Sequence, residues 1–299
     1  MMSLSDNFLR GSFPPLITPF RNGSVDLDRF AALVDRQVAE GSHGVVITGT
    51  TGEPSSLSVE ERCELVRVAV RTVARRIPVV AATGSQSYAE TVDLTARAAA
   101  AGADALLVLT PYFIRPPQQG LVEYFTAVGK QTDLPLMIYH IPGRAAVSVT
   151  AATVARIAER LPNLVGIKHA ANDLELVTEL LARLGPQFRI FCGLEALSMP
   201  MLAIGAAGLM NAVGNLAPRR VSQLCERIGE GNLEQARKLH FELFELNQAI
   251  FLDTNPIPLK YMMARLGLLA SPEVRLPLTA LDGEKGRVLD QILQRAGLL

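Results

Sequence analysis

The sequence predicts a (β/α)8 TIM barrel with a C-terminal helical extension, and three observations carry that expectation. Short β-branched or apolar runs recur at intervals of roughly 25 to 35 residues, each followed by a stretch of helical periodicity. The runs are continuously apolar, as strands buried on both faces are. No G-x-G-x-x-G fingerprint follows the first run, so an open dinucleotide-binding sheet gives way to a closed barrel.

Strands are expected at Pro14–Thr18, Gly44–Thr48, Pro78–Ala82, Asp104–Leu109, Leu134–Tyr139, Leu164–Lys168, Arg189–Gly193 and Gly208–Val213. Between the first two, Asp26–Glu40 reads as a helix with an acidic first turn. Ser58-Val59-Glu60-Glu61 opens the next with a capping-box pattern. After the eighth strand the pattern is helical only, over Leu233–Ala249, Pro258–Leu266 and Gly283–Ala296. The chain is thus read as a barrel over residues 1–230 and a helical region over residues 231–299. No Ser/Gly- or Pro-rich linker separates the two, so the helices are expected to pack on the barrel.

Composition narrows the function. Hydrophobic residues make up 49% of the 299-residue chain, ample for a large core. Lys and Arg balance Asp and Glu at 29 each, which leaves no electrostatic footprint for nucleic acid or anionic lipid. The three cysteines, Cys63, Cys192 and Cys225, suit neither a disulfide framework nor a zinc knuckle, and a reducing cytoplasm is expected. The N-terminal residues lack the apolar core of a signal peptide, and the longest apolar run, Met199–Met210, is too short to span a bilayer. His43, His140, His169 and His240 are dispersed, and His169 is expected to point away from Lys168, so no metal is expected.

Active sites of such barrels lie at the C-terminal ends of the strands. Of the five lysines, Lys130, Lys238, Lys260 and Lys285 fall on predicted helices or their ends, where a solvated ammonium is the expectation. Lys168 instead ends the run Leu164-Val165-Gly166-Ile167-Lys168, and alternation puts Gly166 and Lys168 on one face. Facing the barrel interior, the amine is driven by burial toward the neutral form that attacks a carbonyl. Taken alone, a strand-end lysine that snorkels to solvent is the commoner case. After the second strand, Gly49-Thr50-Thr51-Gly52-Glu53 offers two hydroxyls and free amides for a carboxylate, and reads equally well as an ordinary glycine-rich turn. Tyr139 ends the fifth strand, where its phenol is placed either to shuttle protons or simply to pack. Arg144 in the next loop is either a fork for a second carboxylate or a solvated charge.

Together these residues resemble the dihydrodipicolinate synthase and N-acetylneuraminate lyase family of class I pyruvate-dependent aldolases, across essentially the whole chain. The resemblance rests on Gly49-Thr50-Thr51-Gly52-Glu53, Thr110-Pro111-Tyr112, Tyr139 with Pro142 and Arg144, Gly166-Ile167-Lys168, and Asn255-Pro256-Ile257-Pro258. It implies Lys168 as the Schiff-base lysine, Tyr139 as proton donor and acceptor, and Thr50 as its relay partner. Thr51, Gly52, Arg144, Gly193 and Met210 form the implied substrate-binding set, with Thr51 on pyruvate and Arg144 on the carboxylate of aspartate semialdehyde. Arg144 and Asn255 point to the synthase branch, and hence to lysine biosynthesis. The resemblance further implies no cofactor beyond the covalent imine, and a homotetramer built from tight dimers with the Tyr112-Phe113 loop near one interface.

Several positions depart from the family's pattern. Phe113 stands where the synthase has a second relay tyrosine, His140 where asparagine is usual, and Cys192-Gly193-Leu194-Glu195 replaces a more acidic segment. Val59 and Arg62 stand where lysine-inhibited members have histidines, although Glu90 and Tyr112 match, so feedback inhibition is not expected. An aldolase or dehydratase acting on another 4-hydroxy-2-oxo acid or a 2-keto-3-deoxy sugar acid is the close alternative. A barrel that binds an oxo acid without turning it over is the alternative of another class.

Overall fold

The structure, a computed structural model, describes residues 2–299. Eight parallel strands close a barrel: β1 (Gly11–Ser12), β2 (Val45–Ile47), β3 (Val79–Ala82), β4 (Ala105–Leu109), β5 (Leu136–His140), β6 (Leu164–His169), β7 (Arg189–Cys192) and β8 (Gly208–Leu209). Each strand from β2 pairs in parallel with the next, and β8 pairs with β1. The seam between β1 and β2 is closed by a parallel bridge from Pro15 to Val46. Helices follow the strands in turn: α1 (Leu27–Ala39), α2 (Val59–Val73), α3 (Tyr88–Ala100), α4 (Gln118–Gly129), α5 (Ala151–Arg160), α6 (Leu174–Leu184), α7 (Ser198–Ala203) and α8 (Pro218–Gly229).

The local chemistry explains most of these boundaries. Asp26 caps α1 by accepting from Arg29 N, and Ser58 and Glu61 form the capping box expected for α2. The first strand differs from expectation. It lies at Gly11–Ser12, not Pro14–Thr18, because Pro14, Pro15 and Pro19 supply no N–H to a ladder. The prolines still accept bonds, Val46 N donating to Pro14 O at 3.0 Å, so the segment closes the seam without forming a strand. The last strand also ends early, at Leu209, where the chain winds into a 3-10 turn at Ala212–Asn215. The Asn215 amide secures that turn by donating to Pro15 O and accepting from Ile17 N. A two-stranded hairpin, Phe20–Arg21 against Ser24–Val25, was not anticipated.

Two apolar layers result. Phe13, Val46, Val80, Leu107, Met137, Tyr139, Phe191 and Met210 fill the barrel interior, and a larger cluster packs the strands' outer faces against the helices. Phe13 and Phe191 meet edge to face at 5.2 Å between centroids. At Gly166 the sheet tolerates no side chain, because an added Cβ would stand 2.1 Å from Arg189 O on β7.

Beyond α8 lie α9 (Leu233–Glu242), α10 (Phe244–Ala249), α11 (Ile257–Arg265) and α12 (Gly283–Arg295). The single helix expected over Leu233–Ala249 is two, interrupted at Leu243, whose ψ of −9° departs from the α-helical value. The segment from Asn255 to Arg275 reaches the mouth of the barrel through buried polar contacts described below. No described helix is long and apolar enough to cross a membrane.

Candidate active site

The site is set by the register of β5 against β6. An irregularity between Leu136 and Met137 shifts the pairing so that Met137 faces Gly166 and Tyr139 faces Lys168. Tyr139 and Lys168 therefore stand side by side at the C-terminal mouth, 5% and 4% exposed, with Lys168 Nζ 4.3 Å from the centre of the Tyr139 ring. Gly166 and Lys168 share the interior face as alternation required.

Above β2, Thr50–Gly52 forms a 3-10 turn. Thr50 and Thr51 are its first two residues, so their N–H groups have no acceptor within the turn. Thr50 Oγ1 lies 3.3 Å from Tyr139 Oη, and Thr51 Oγ1 accepts from Asn255 Nδ2 at 3.0 Å. Gly52 closes the turn, its carbonyl accepting from Thr18 Oγ1 at 2.7 Å. Arg144 sits on the exposed rim in a single helical turn, Pro142–Ala145, and one guanidinium nitrogen donates to Asn255 O at 3.4 Å. Met210 is buried in the interior layer that includes Tyr139.

Gly193 lies against the lysine stem, where an added Cβ would stand 2.8 Å from Ala170 Cβ and 2.9 Å from Lys168 Cε. Gly193→Ala is expected to displace the amine and lower kcat/KM by ~10- to 100-fold while costing the fold only about 1–3 kcal/mol. Steady-state kinetics beside thermal denaturation checks this, and an unchanged kcat/KM would refute it.

Sequence reasoning assigned no role to four buried groups near this cluster. Glu195 is 3% exposed; its Oε1 accepts from Ala212 N at 2.7 Å and its Oε2 has no partner. Burial holds this carboxyl above the usual carboxylate range, backbone N–H groups and Lys168 opposing. Lys260, expected to be solvated, is instead fully buried and pairs with Glu53 at 2.5 Å. Burial pulls its ammonium down to about 8, with Glu53 opposing. Helical periodicity around Lys260 gave no sign of this, since the partner comes from the loop after β2.

His140 and His169 face outward beneath the site, with their Nδ1 atoms 3.0 Å apart and rings stacked at 5.1 Å. Val149 N donates to His140 Nε2, which fixes the His140 proton on Nδ1. His169 Nδ1 then accepts, and His169 Nε2–H donates to Asp173 O at 3.0 Å. The chain of bonds requires both rings neutral. Burial first, and His169 second, push His140 down to about 4, and burial lowers His169 as well. Because the folded state resists protonation, the pair's contribution is complete above about pH 6.5 and is lost as pH falls toward 4, about 3 kcal/mol for His140. Urea unfolding from pH 7 to 4.5 should therefore show a steeper loss of stability in the native protein than in His140→Asn; parallel curves would exclude the pair as the cause.

The cysteines offer no nucleophile. All three are buried; burial raises Cys63 and Cys225, and pushes Cys192 up to about 12. What remains is a buried amine beside a phenol that is linked to a threonine hydroxyl, with a second threonine and an arginine at the rim.

Comparison with known proteins gives the family. The description "Dihydrodipicolinate synthetase family" matches residues 8–296. The chain belongs to this family. It is 46% identical over 291 residues, 97% of either chain, to a 4-hydroxy-tetrahydrodipicolinate synthase of Thermus thermophilus. The crystal structure of dihydrodipicolinate synthase from Aquifex aeolicus superposes with a TM-score of 0.95 at 37% identity, covering 97% of this chain and 98% of that one. A structure described as the first monomeric dihydrodipicolinate synthase variant gives 0.95 at 34% identity, covering 98% of both. The expected barrel and family are thereby borne out.

Proposed function

We propose that this chain is a Schiff-base-forming lyase that condenses pyruvate with L-aspartate 4-semialdehyde, the 4-hydroxy-tetrahydrodipicolinate synthase reaction of lysine biosynthesis. The observation that carries the reading is the pairing of Tyr139 with Lys168 inside the barrel mouth, with Thr50 on the phenol. The 46% identity to a relative bearing the synthase name supports the choice of reaction within the family.

In this reading pyruvate lies with its carboxylate at the Thr50–Thr51 turn and its ketone at Lys168 Nζ. The amine adds through its lone pair to the carbonyl carbon, and the adduct loses water to leave an imine. Tyr139, exchanging its proton with Thr50, takes a proton from the methyl group and leaves an enamine. The imine nitrogen receives the electrons released, so this chemistry is complete with side chains and substrate alone. The enamine carbon then attacks the aldehyde, whose carboxylate pairs with Arg144 and whose oxygen takes up a proton; the amino group of the same substrate displaces Lys168 from the imine carbon, which closes the ring and frees the amine.

Supplying pyruvate with aspartate semialdehyde, and separately a panel of 4-hydroxy-2-oxo acids and 2-keto-3-deoxy sugar acids, tests the assignment. Turnover of the panel without a synthase rate would replace it with an aldolase or dehydratase. Binding of pyruvate with no turnover of any substrate would make the barrel a binder.

We also propose cytoplasmic residence, on the three unpaired cysteines, and a homotetramer assembled from tight dimers. Phe113 and Ile114, 84% and 64% exposed beside the mouth, suit burial against a second copy. Sedimentation of Phe113→Asp, expected to dissociate, checks the latter.

A further inference from the structure

We propose that the buried Glu53–Lys260 pair is a latch that positions the Thr50–Thr51 turn, so that the C-terminal helices form part of the catalytic apparatus. The proposal rests on the role of that turn given above. Glu53 ends the Thr50–Gly52 turn and begins the next, Pro54–Ser56, at φ 56° and ψ 47°. A residue with a Cβ disfavours this left-handed geometry and keeps it only when its surroundings hold it there.

The surroundings here are polar and come from residues 255–275. Lys260 Nζ lies 2.5 Å from Glu53 Oε1, off hydrogen-bond alignment, since that oxygen receives no aligned donor. The ammonium donates to Glu273 O at 2.7 Å and rests 4.0 Å above the Phe20 ring. Arg275 N donates to Glu53 Oε2 at 3.3 Å, and its guanidinium reaches Ser56 O and Glu61. At the other end of the turn Asn255 holds Thr51 Oγ1. Thr51 and Glu53 are therefore gripped by positions 255 and 260 of one short segment. If the chain is divided at residue 230, the site draws on both parts.

Stability alone does not explain such a pair. Two charges removed from water recover little net free energy from each other, and apolar residues of similar volume generally serve as well. A charge pair does fix one geometry for the backbone that carries it, and here that backbone presents the two threonines. Lys260 and Glu53 touch none of the proposed reacting atoms, so they act as positioning residues.

The test compares E53Q/K260M, K260M, T51V and K260M/T51V with the native protein by melting, steady-state kinetics and borohydride trapping of pyruvate. The double neutral variant leaves no unpaired charge, and is expected to melt within about 5 °C of the native protein. Its kcat is expected to fall at least ~10-fold while the pyruvate adduct on Lys168 still forms. K260M is expected to cost ~10-fold in the native background and about 2-fold or less when Thr51 is already valine, because both changes disturb one contact. Native kinetics in E53Q/K260M, or an equal loss from K260M in both backgrounds, overturns the latch. Should K260M fail to fold, E53Q/K260M alone decides. A native protein that traps no pyruvate refutes the reaction and the latch with it, whereas a normal adduct with an unaffected double variant refutes the latch only.

Discussion

Lys168→Ala is expected to fold, to lose at least ~10⁴-fold in kcat/KM, and to yield no adduct when treated with pyruvate and borohydride. In the proposed reaction the amine is the group to which the carbonyl carbon becomes joined, so no neighbouring side chain substitutes for it. Tyr139 offers a phenol, which forms no imine, and the nearest cysteine, Cys192, is buried with its thiol donating to Leu194 O. The barrel itself should survive. Lys168 makes its contacts at the mouth, whereas Phe13, Val46, Leu107 and Phe191 fill the interior without it. Lys168→Arg keeps a long basic side chain but not the chemistry, since a guanidinium is not deprotonated to a nucleophile. Both variants should be equally inactive. Mass spectrometry of the borohydride-treated proteins provides the check, and an adduct of undiminished yield in either variant would show that another amine carries the reaction.

The barrel was legible because its signals are local. Apolar runs, their spacing and the Ser58–Glu61 cap all operate within a few residues, and the structure places strands and helices close to where they pointed. The first strand failed for a local reason as well: prolines make Pro14–Thr18 look like punctuated β-structure, yet they withhold the donors a ladder needs. The residues gathered at the mouth were legible one by one, but their contacts were not. Alternation along β6 correctly set Gly166 and Lys168 on one face, but which β5 residue meets Lys168 depends on the shift at Leu136/Met137, and no pattern in either strand announces it. The same holds for His140 and His169, whose bond follows from that register. Lys260 was misread outright. A lysine on an amphipathic helix is normally solvated, and its burial depends on Glu53, which arrives from another unit of the fold. Asn255 was noted within a motif, although its hold on Thr51 could not be read from it.

Tyr139→Phe removes one oxygen and leaves the rest of the site standing, which makes it the sharpest test of the proton relay. The ring remains in the interior layer and beneath Lys168 Nζ, so packing and the fold should be unchanged within about 1 kcal/mol. What is lost is the phenolic proton and its link to Thr50 Oγ1 at 3.3 Å. Imine formation and enamine formation each need a proton moved at the reacting atoms, and a positioned acid or base contributes ~10²- to 10⁴-fold to such steps. We therefore expect kcat to fall about 10²- to 10³-fold with little change in KM for pyruvate, since the proposed carboxylate contacts lie on the threonine turn. Thr50→Val should lower kcat less, because it leaves the phenol in place and removes only its partner. If the two hydroxyls act in series, adding Thr50→Val to Tyr139→Phe costs almost nothing further, whereas independent roles would multiply the two losses. Pre-steady-state trapping of pyruvate distinguishes the affected step, and a Tyr139→Phe protein within threefold of the native kcat would remove the phenol from the mechanism.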